Sequence, residues 1–356
     1  MPTDAAIGGL FGDTPADRAM DRVAPMPVTD DVQALASRVQ EGVRLGTSSW
    51  AYPGWRGLVY APRAPVAALA SDGLAAYAAS PLFGTVGLDR AFYASPSREE
   101  YASLARLVPT SFRFTVKAEQ RCTRPDLAAD GTTFGNATAH RTGAVNPHFL
   151  DAAFAWERVV EPALDGLGDR MGPTVFQFPH LDLTAHGRLG GVDALLARLG
   201  AFLGELRHRA GGDPQWLPAV ELRNREVLQP AHVRAYVDAL GAGAAVHSYL
   251  QHPTVASPAA QERALAEAGA PARLARAVVV RWMLLAATTY DEASAAFEPF
   301  DRLRAPDPAT RTEVVDLVAG RGPGRPGFVV CNNKAEGCAA LSVRAIAEEL
   351  AARGTG

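Results

Sequence analysis

Eight short runs of apolar, β-branched or aromatic residues recur along this chain, and each is followed by a helical pattern. The runs are VRLGTS (43–48), FGTVGLD (83–89), FRFTVKA (112–118), PTVFQF (173–178), LPAVEL (217–222), GAAVHS (243–248), AVVVRW (277–282) and GFVVCN (327–332). Helical sequence such as VAALASDGLAAYAA (66–79) and LSVRAIAEELAA (341–352) lies between and after them. In SREEYASLARLV, Ser97 and Glu100 stand at capping-box spacing. Strands that alternate with helices predict a parallel sheet, and continuously apolar strands fit a sheet covered on both faces. Eight such units predict a (β/α)8 barrel of the TIM type, an α/β fold for which about 250 residues is typical. Residues 41–356 exceed that length, so long βα loops are expected. No GxGxxG follows the first strand and no GxxxxGK[ST] occurs, which weighs against a doubly wound nucleotide-binding sheet.

The remaining segments are read as additions to the barrel. Residues 1–40, rich in Ala, Asp and Pro, are expected to form a mobile extension with helical tendency near 31–40. The 120–147 stretch, together with His140 and His148, reads as a lid or a tolerated surface insertion. Residues 290–326 read as a second polar insertion whose GRGPGRPG is a flexible connector.

Composition narrows the function classes. The formal net charge is −3, so no global basic field draws nucleic acid or anionic membrane. The chain has no run of eighteen apolar residues, and its start lacks the charged-then-apolar pattern of a signal peptide. Three cysteines, an odd number without framework spacing, suit a reducing compartment, and a cytoplasmic location is expected.

Barrel enzymes carry their sites at the C-terminal strand ends. Read in that way, every strand ends polar: Thr47 to Trp50, Asp89, Lys117 with Glu119, Gln177, Glu221 with Arg223, His247, Arg281, and Asn332 with Asn333. Period-two alternation puts Arg113, Thr115, Lys117 and Glu119 on one face of the third strand, with Lys117 toward the axis. Glu221 and Arg223 share a face by the same rule. A rim of turn residues would also be polar, as would a purely structural ion pair between Glu221 and its neighbours.

Several of these stretches resemble the DUF72 (YecE-like) family of barrels. GTSSWAYPGWRGLVY (46–60), TVGLDRAFYASPS (85–97), FRFTVKAEQ (112–120), GPTVFQFPH (172–180), AVELRNREV (219–227), VVVRW (278–282) and VVCNNKAEGCAALSVRAI (329–346) follow the family's motif order. The family pattern has a glutamate where this chain has Gly87, and an asparagine where it has Asp89. Trp282 and Met283 stand in place of a His-Gly pair. The resemblance implies a TIM-type barrel and leaves the activity open.

The leading expectation is a metal-independent pocket for a small anionic or polyhydroxylated ligand, such as a sugar phosphate. Glu221 would serve as acid/base and Lys117 would hold an anion or form a Schiff base. Arg223 and Arg281 would clamp negative charge. Gln177, Asn332, Asn333, Asp89 and His247 would supply polar contacts, and Trp50, Tyr52 and Tyr93 stacking surfaces. Trp55 and Tyr60 fit loop packing better than stacking. No cofactor is expected and no HExxH or paired CxxC marks a metal, although Glu221, His247 and Asp89 could be assembled from separate strands. Nucleic-acid binding through Arg121, Arg124 and Arg141 is an alternative, and a non-catalytic ligand-binding barrel is another. Oligomeric state is not legible.

Overall fold

In the computed structural model of the chain, the residues described are 23–127 and 144–353. Eight parallel strands close into a barrel in sequence order. They are β1 (Val43–Thr47), β2 (Thr85–Leu88), β3 (Arg113–Lys117), β4 (Met171–Gln177), β5 (Leu217–Glu221), β6 (Val246–Gln251), β7 (Val278–Trp282) and β8 (Gly327–Cys331). The barrel closes where β1 pairs with β8, from Val43 opposite Gly327 to Thr47 opposite Cys331. Every strand of the sequence reading is present.

One strand is displaced. The sixth was expected over 243–248 but begins at Val246, because Gly243 to Ala245 complete the turn that ends the preceding helix. Ala244 adopts φ 50° there, which extended chain does not allow. The polar end of β6 is therefore Gln251, and His247 is only its second residue.

Alternation along the strands builds two cores. Inward residues Val175, Leu217, Ala219, Val246, Val279 and Phe328 plug the barrel as one cluster. Outward residues such as Phe114, Val116, Phe176, Val220, Val280 and Val329 join a larger cluster under the helices. Above the plug, the Thr85 and Thr115 hydroxyls bond each other at 3.1 Å. The next inward layer is the polar one described below.

The helical cover includes α1 (Asp30–Arg38), α2 (Leu69–Ala78), α3 (Arg98–Ala105), α4 (Glu161–Leu167), α5 (Val192–Arg209), α6 (Val233–Ala242), α7 (Pro258–Glu267), α8 (Tyr290–Phe297), α9 (Pro308–Ala319), α10 (Asn333–Glu336) and α11 (Ala339–Arg353). The Ser97–Glu100 capping box forms as its spacing predicts. No described helix is long and apolar enough to cross a membrane.

Two of these helices correct the reading of 290–326 as an insertion. Helix α8 starts from a Thr289–Glu292 capping box, and α9 buries Val314, Val315, Leu317 and Val318 against the barrel. Prolines at 306 and 308 mislead here: Pro308 occupies the first helical turn behind the Asp307 cap, where its missing N–H costs nothing. The N-terminal boundary also moves. Of the expected 1–40 extension, residues 23–40 are docked: Val23 and Leu35 are buried, Met26 N–H donates to the Val59 carbonyl at 2.9 Å, and Asp31 pairs with Arg344 at 2.9 Å. Residues 1–22 lie outside the described part, as do His140 and most of the suggested lid.

Candidate functional site

The C-terminal mouth of the barrel gathers five charged side chains on inward strand positions. Arg281 is at their centre. One of its terminal nitrogens donates to Glu221 Oε2 at 2.6 Å; the other donates to Asp89 Oδ1 and Oδ2 at 3.0 and 3.2 Å. Arg281 and Glu221 are both buried, at 2% and 0% exposure, so these charges depend on each other for solvation. Burial alone would lower the Arg281 pKa, but Glu221 and Asp89 outweigh it and hold the guanidinium charged more firmly than usual. Burial would raise the Glu221 carboxyl, yet the charges of Arg281, Arg223 and Lys117 bring it below its ordinary value. Glu221 is thus an anion that holds cations, with no proton to give near neutrality.

Lys117 and Arg223 complete the group. Lys117 Nζ lies 3.8 Å from the centre of the Phe92 ring. Its pKa is pushed down to about 8, first by burial and then by Arg281 and Arg223, with Asp89 and Glu221 opposing. Burial likewise lowers the pKa of Arg223. Among the described residues, neither Lys117 nor Arg223 has a carboxylate within ion-pairing distance. The Arg223 Nε and the Glu221 Oε1 are buried without a hydrogen-bond partner among the described residues.

The strand-two carboxylate shows how geometry shifts a side chain along a motif. A Cβ at Gly87 would lie 3.2 Å from the Cα of Ser48, the residue after β1, a tight contact at that inward position. Asp89, two residues further and on the same face, reaches Arg281 instead.

Around the charges stands an aromatic and amide rim. Tyr52 is packed 4.9 Å from Trp55 and 5.9 Å from Phe300, and burial beside Asp89 pushes its hydroxyl up to about 12. Tyr93 is exposed at the edge. Gln177 is buried at the end of β4, in register with Glu221. Trp50, by contrast, is buried in the core under Arg90, and Trp55 and Tyr60 are fully buried with it.

The two amides of CNNKAEG divide their work. Asn332 continues the inward face of β8; its Nδ2 donates to Ser48 Oγ at 2.9 Å, and its Oδ1 accepts from the Lys334 N–H at 3.0 Å, capping α10. Asn333 turns away and accepts from the Ala339 N–H at 2.7 Å, which fixes the entry to α11. Gly337 closes the turn at φ +115°, with Arg302 and Arg304 backbone atoms where a Cβ would sit.

His247 does not join the mouth. It points outward, where Nδ1 meets the Tyr236 hydroxyl and Nε2 meets Gln261 Oε1, both at 2.9 Å. Burial drops its pKa to about 4. The trio Glu221, His247 and Asp89 is therefore not assembled, and among the described residues no group of three or more His, Cys, Asp or Glu side chains could hold a metal ion. Arg121 is engaged with Glu119 and lies over Phe154; Arg141 lies outside the described residues.

Sequence reasoning missed His252. It follows β6 directly, on the inward face shared by Ser248 and Leu250, and it feels the charges of Arg223 and Glu221. The three-residue displacement of β6 hid it.

The sequence profile of the family described as "Protein of unknown function DUF72" matches residues 44–356. The chain belongs to the DUF72 family. Two crystal structures of a DUF72 family protein from Enterococcus faecalis V583 are similar to this barrel. They share 15% and 17% identity at a TM-score of 0.50, covering 87% and 86% of this chain and 98% and 95% of theirs. At that identity the likeness speaks to the fold alone. No curated protein matches this DUF72 barrel.

Proposed function

We propose that this chain binds a small anionic or polyhydroxylated ligand, of the sugar-phosphate kind, at the C-terminal mouth of its barrel. The observation that carries the reading is the unmatched pair of cations, Lys117 and Arg223, beside the Arg281–Glu221–Asp89 cluster. Three cations face two carboxylates there, so an incoming anion restores neutrality in a poorly hydrated site. Asp89, partly exposed, and Gln177 suit ligand hydroxyls, while Tyr93 offers a ring face at the edge.

Within this reading Glu221 and Lys117 take different parts from those the sequence suggests. Glu221 anchors the cations. Lys117, with a pKa near 8, is the group that exchanges a proton close to neutrality and is our candidate for any acid/base step. Titration calorimetry with inorganic phosphate and phosphorylated pentoses tests the proposal. Charge-assisted contacts of about 1.5–3 kcal/mol predict at least a tenfold loss of affinity in Lys117→Met and in Arg223→Met. Affinity unchanged in both variants would refute the assignment, and following the ligand after binding separates a catalyst from a binding barrel.

A further inference from the structure

His252 stands on a loop that a guanidinium from the neighbouring loop holds in place. Arg225, from the neighbouring loop after β5, donates through Nε to the Thr254 carbonyl at 2.9 Å. One of its terminal nitrogens donates to the carbonyls of Pro253 and Val255, at 2.9 and 3.1 Å. Three consecutive carbonyls are thus fixed by one guanidinium. The imidazole is fixed in turn by Thr254, whose backbone N–H lies 3.2 Å from Nδ1 and whose hydroxyl lies 2.8 Å from it.

The backbone contact favours one tautomer: an N–H can only donate, so at 3.2 Å it is a hydrogen bond only when Nδ1 presents its lone pair and the neutral ring carries its hydrogen on Nε2. Burial, aided by the Arg223 charge and opposed by Glu221, lowers the ring's pKa to about 4, so the neutral form prevails near neutrality. Alternation continued one residue past β6 turns the ring to the inward side, where it feels the charges of Arg223 and Glu221. Lys117, Arg223 and His252 belong to β3 and to the ends of β5 and β6, so the donors occupy one arc of the wall with Gln177 on β4 between them.

We propose that His252 is a ligand-binding residue of the mouth, donating its Nε2–H to a phosphate-type oxyanion shared with Lys117 and Arg223, and that Arg225 is its positioning residue. The inference rests on the reading of the mouth given above and sharpens it. Three donors spaced along one arc of the wall can each take a different oxygen, which suits the three terminal oxygens of a phosphate ester better than the two coplanar oxygens of a carboxylate. A neutral donor also adds a contact without another like charge beside Arg223.

The test uses the full chain and two readouts. Long-range proton–nitrogen NMR spectra, with His252 assigned through His252→Gln, report the tautomer without ligand. Titration with inorganic phosphate then reports binding. Expected are a single Nε2–H tautomer, a shift of the His252 ring signals on adding phosphate, and about a tenfold loss of affinity in His252→Ala. His252→Gln, whose amide nitrogen can occupy the place of Nε2, should stay within about threefold. Arg225→Met should loosen the ring into mixed tautomers and weaken phosphate binding. An Nδ1–H ring, or His252→Ala binding as wild type does while Lys117→Met weakens, would overturn the role of His252 and leave the mouth reading intact. A wild-type protein that binds no phosphate, with the Nε2–H tautomer present, would overturn both.

Discussion

Replacing Glu221 by Gln removes a charge from the most deeply buried ion pair of the barrel mouth and leaves the shape almost unchanged. Arg281 then keeps only Asp89, whose side chain is 31% exposed and so a weaker partner. At an effective dielectric near 20, two charges about 4 Å apart attract by roughly 4 kcal/mol. The amide of Gln still accepts a hydrogen bond and Asp89 still compensates part of the guanidinium charge. The expected loss is therefore about 3 kcal/mol, the lower end of the cost of breaking a buried pair from one side. Urea unfolding with linear extrapolation measures it. A companion cycle with Arg281→Met isolates the pair: the double variant should be more stable than the two single losses imply, by about 2 kcal/mol. The effect also has a pH signature. The folded-state pKa of Glu221 is depressed, so its stabilisation is present above the ordinary carboxylate value and is lost as pH falls through the folded value. The gap between wild type and Glu221→Gln should narrow in acid. A Glu221→Gln protein within about 0.5 kcal/mol of wild type at neutral pH, or a strictly additive cycle, would refute this account of the cluster.

Lys117 gives the opposite signature. Its folded pKa, about 8, lies below the ordinary 10.5, so burying its charge costs stability below 8 and that cost fades as pH rises to 10.5. Stability curves of wild type and Lys117→Met should converge over that interval, and phosphate affinity measured by calorimetry should fall as pH climbs through 8. Gly337→Ala puts a Cβ 2.6 Å from the Arg304 nitrogen at φ +115°; a loss of about 1–3 kcal/mol in urea unfolding is expected. Glu336→Gln weakens a fully buried carboxylate that accepts from the Asp307 N–H at 2.8 Å and Arg311 at 2.5 Å. It should cost about 2 kcal/mol or more by the same measurement.

Much of the barrel could be read from the residues because its two periodicities are simple. Strands buried on both faces leave short apolar runs, and alternation then turns Lys117 toward the axis and puts Glu221 and Arg223 on one face, whereas which of Asn332 and Asn333 faces inward shows only in their hydrogen bonds. The failures have physical causes. Ala-rich sequence at 243–245 suits both a helix end and a strand start, and only the turn at Ala244 decides between them. That ambiguity brought forward His247, a side chain satisfied by Tyr236 and Gln261, and concealed His252. Prolines 306 and 308 look like loop residues when read locally, whereas the cap at Asp307 makes Pro308 a helix start. Leu35 and Val23 carry too little periodicity for the docking of residues 23–40 to show in the sequence. The ion network itself was visible only as a set of strand ends. Which carboxylate meets which arginine depends on distances that no spacing encodes.

A crystal structure determined with ribose 5-phosphate at saturating concentration tests the central claim most directly. The expected result is phosphate density within hydrogen-bond distance of Lys117 Nζ and the Arg223 guanidinium, at the C-terminal mouth. An empty mouth under conditions where calorimetry shows full binding, or a phosphate seated elsewhere on the barrel, would contradict it.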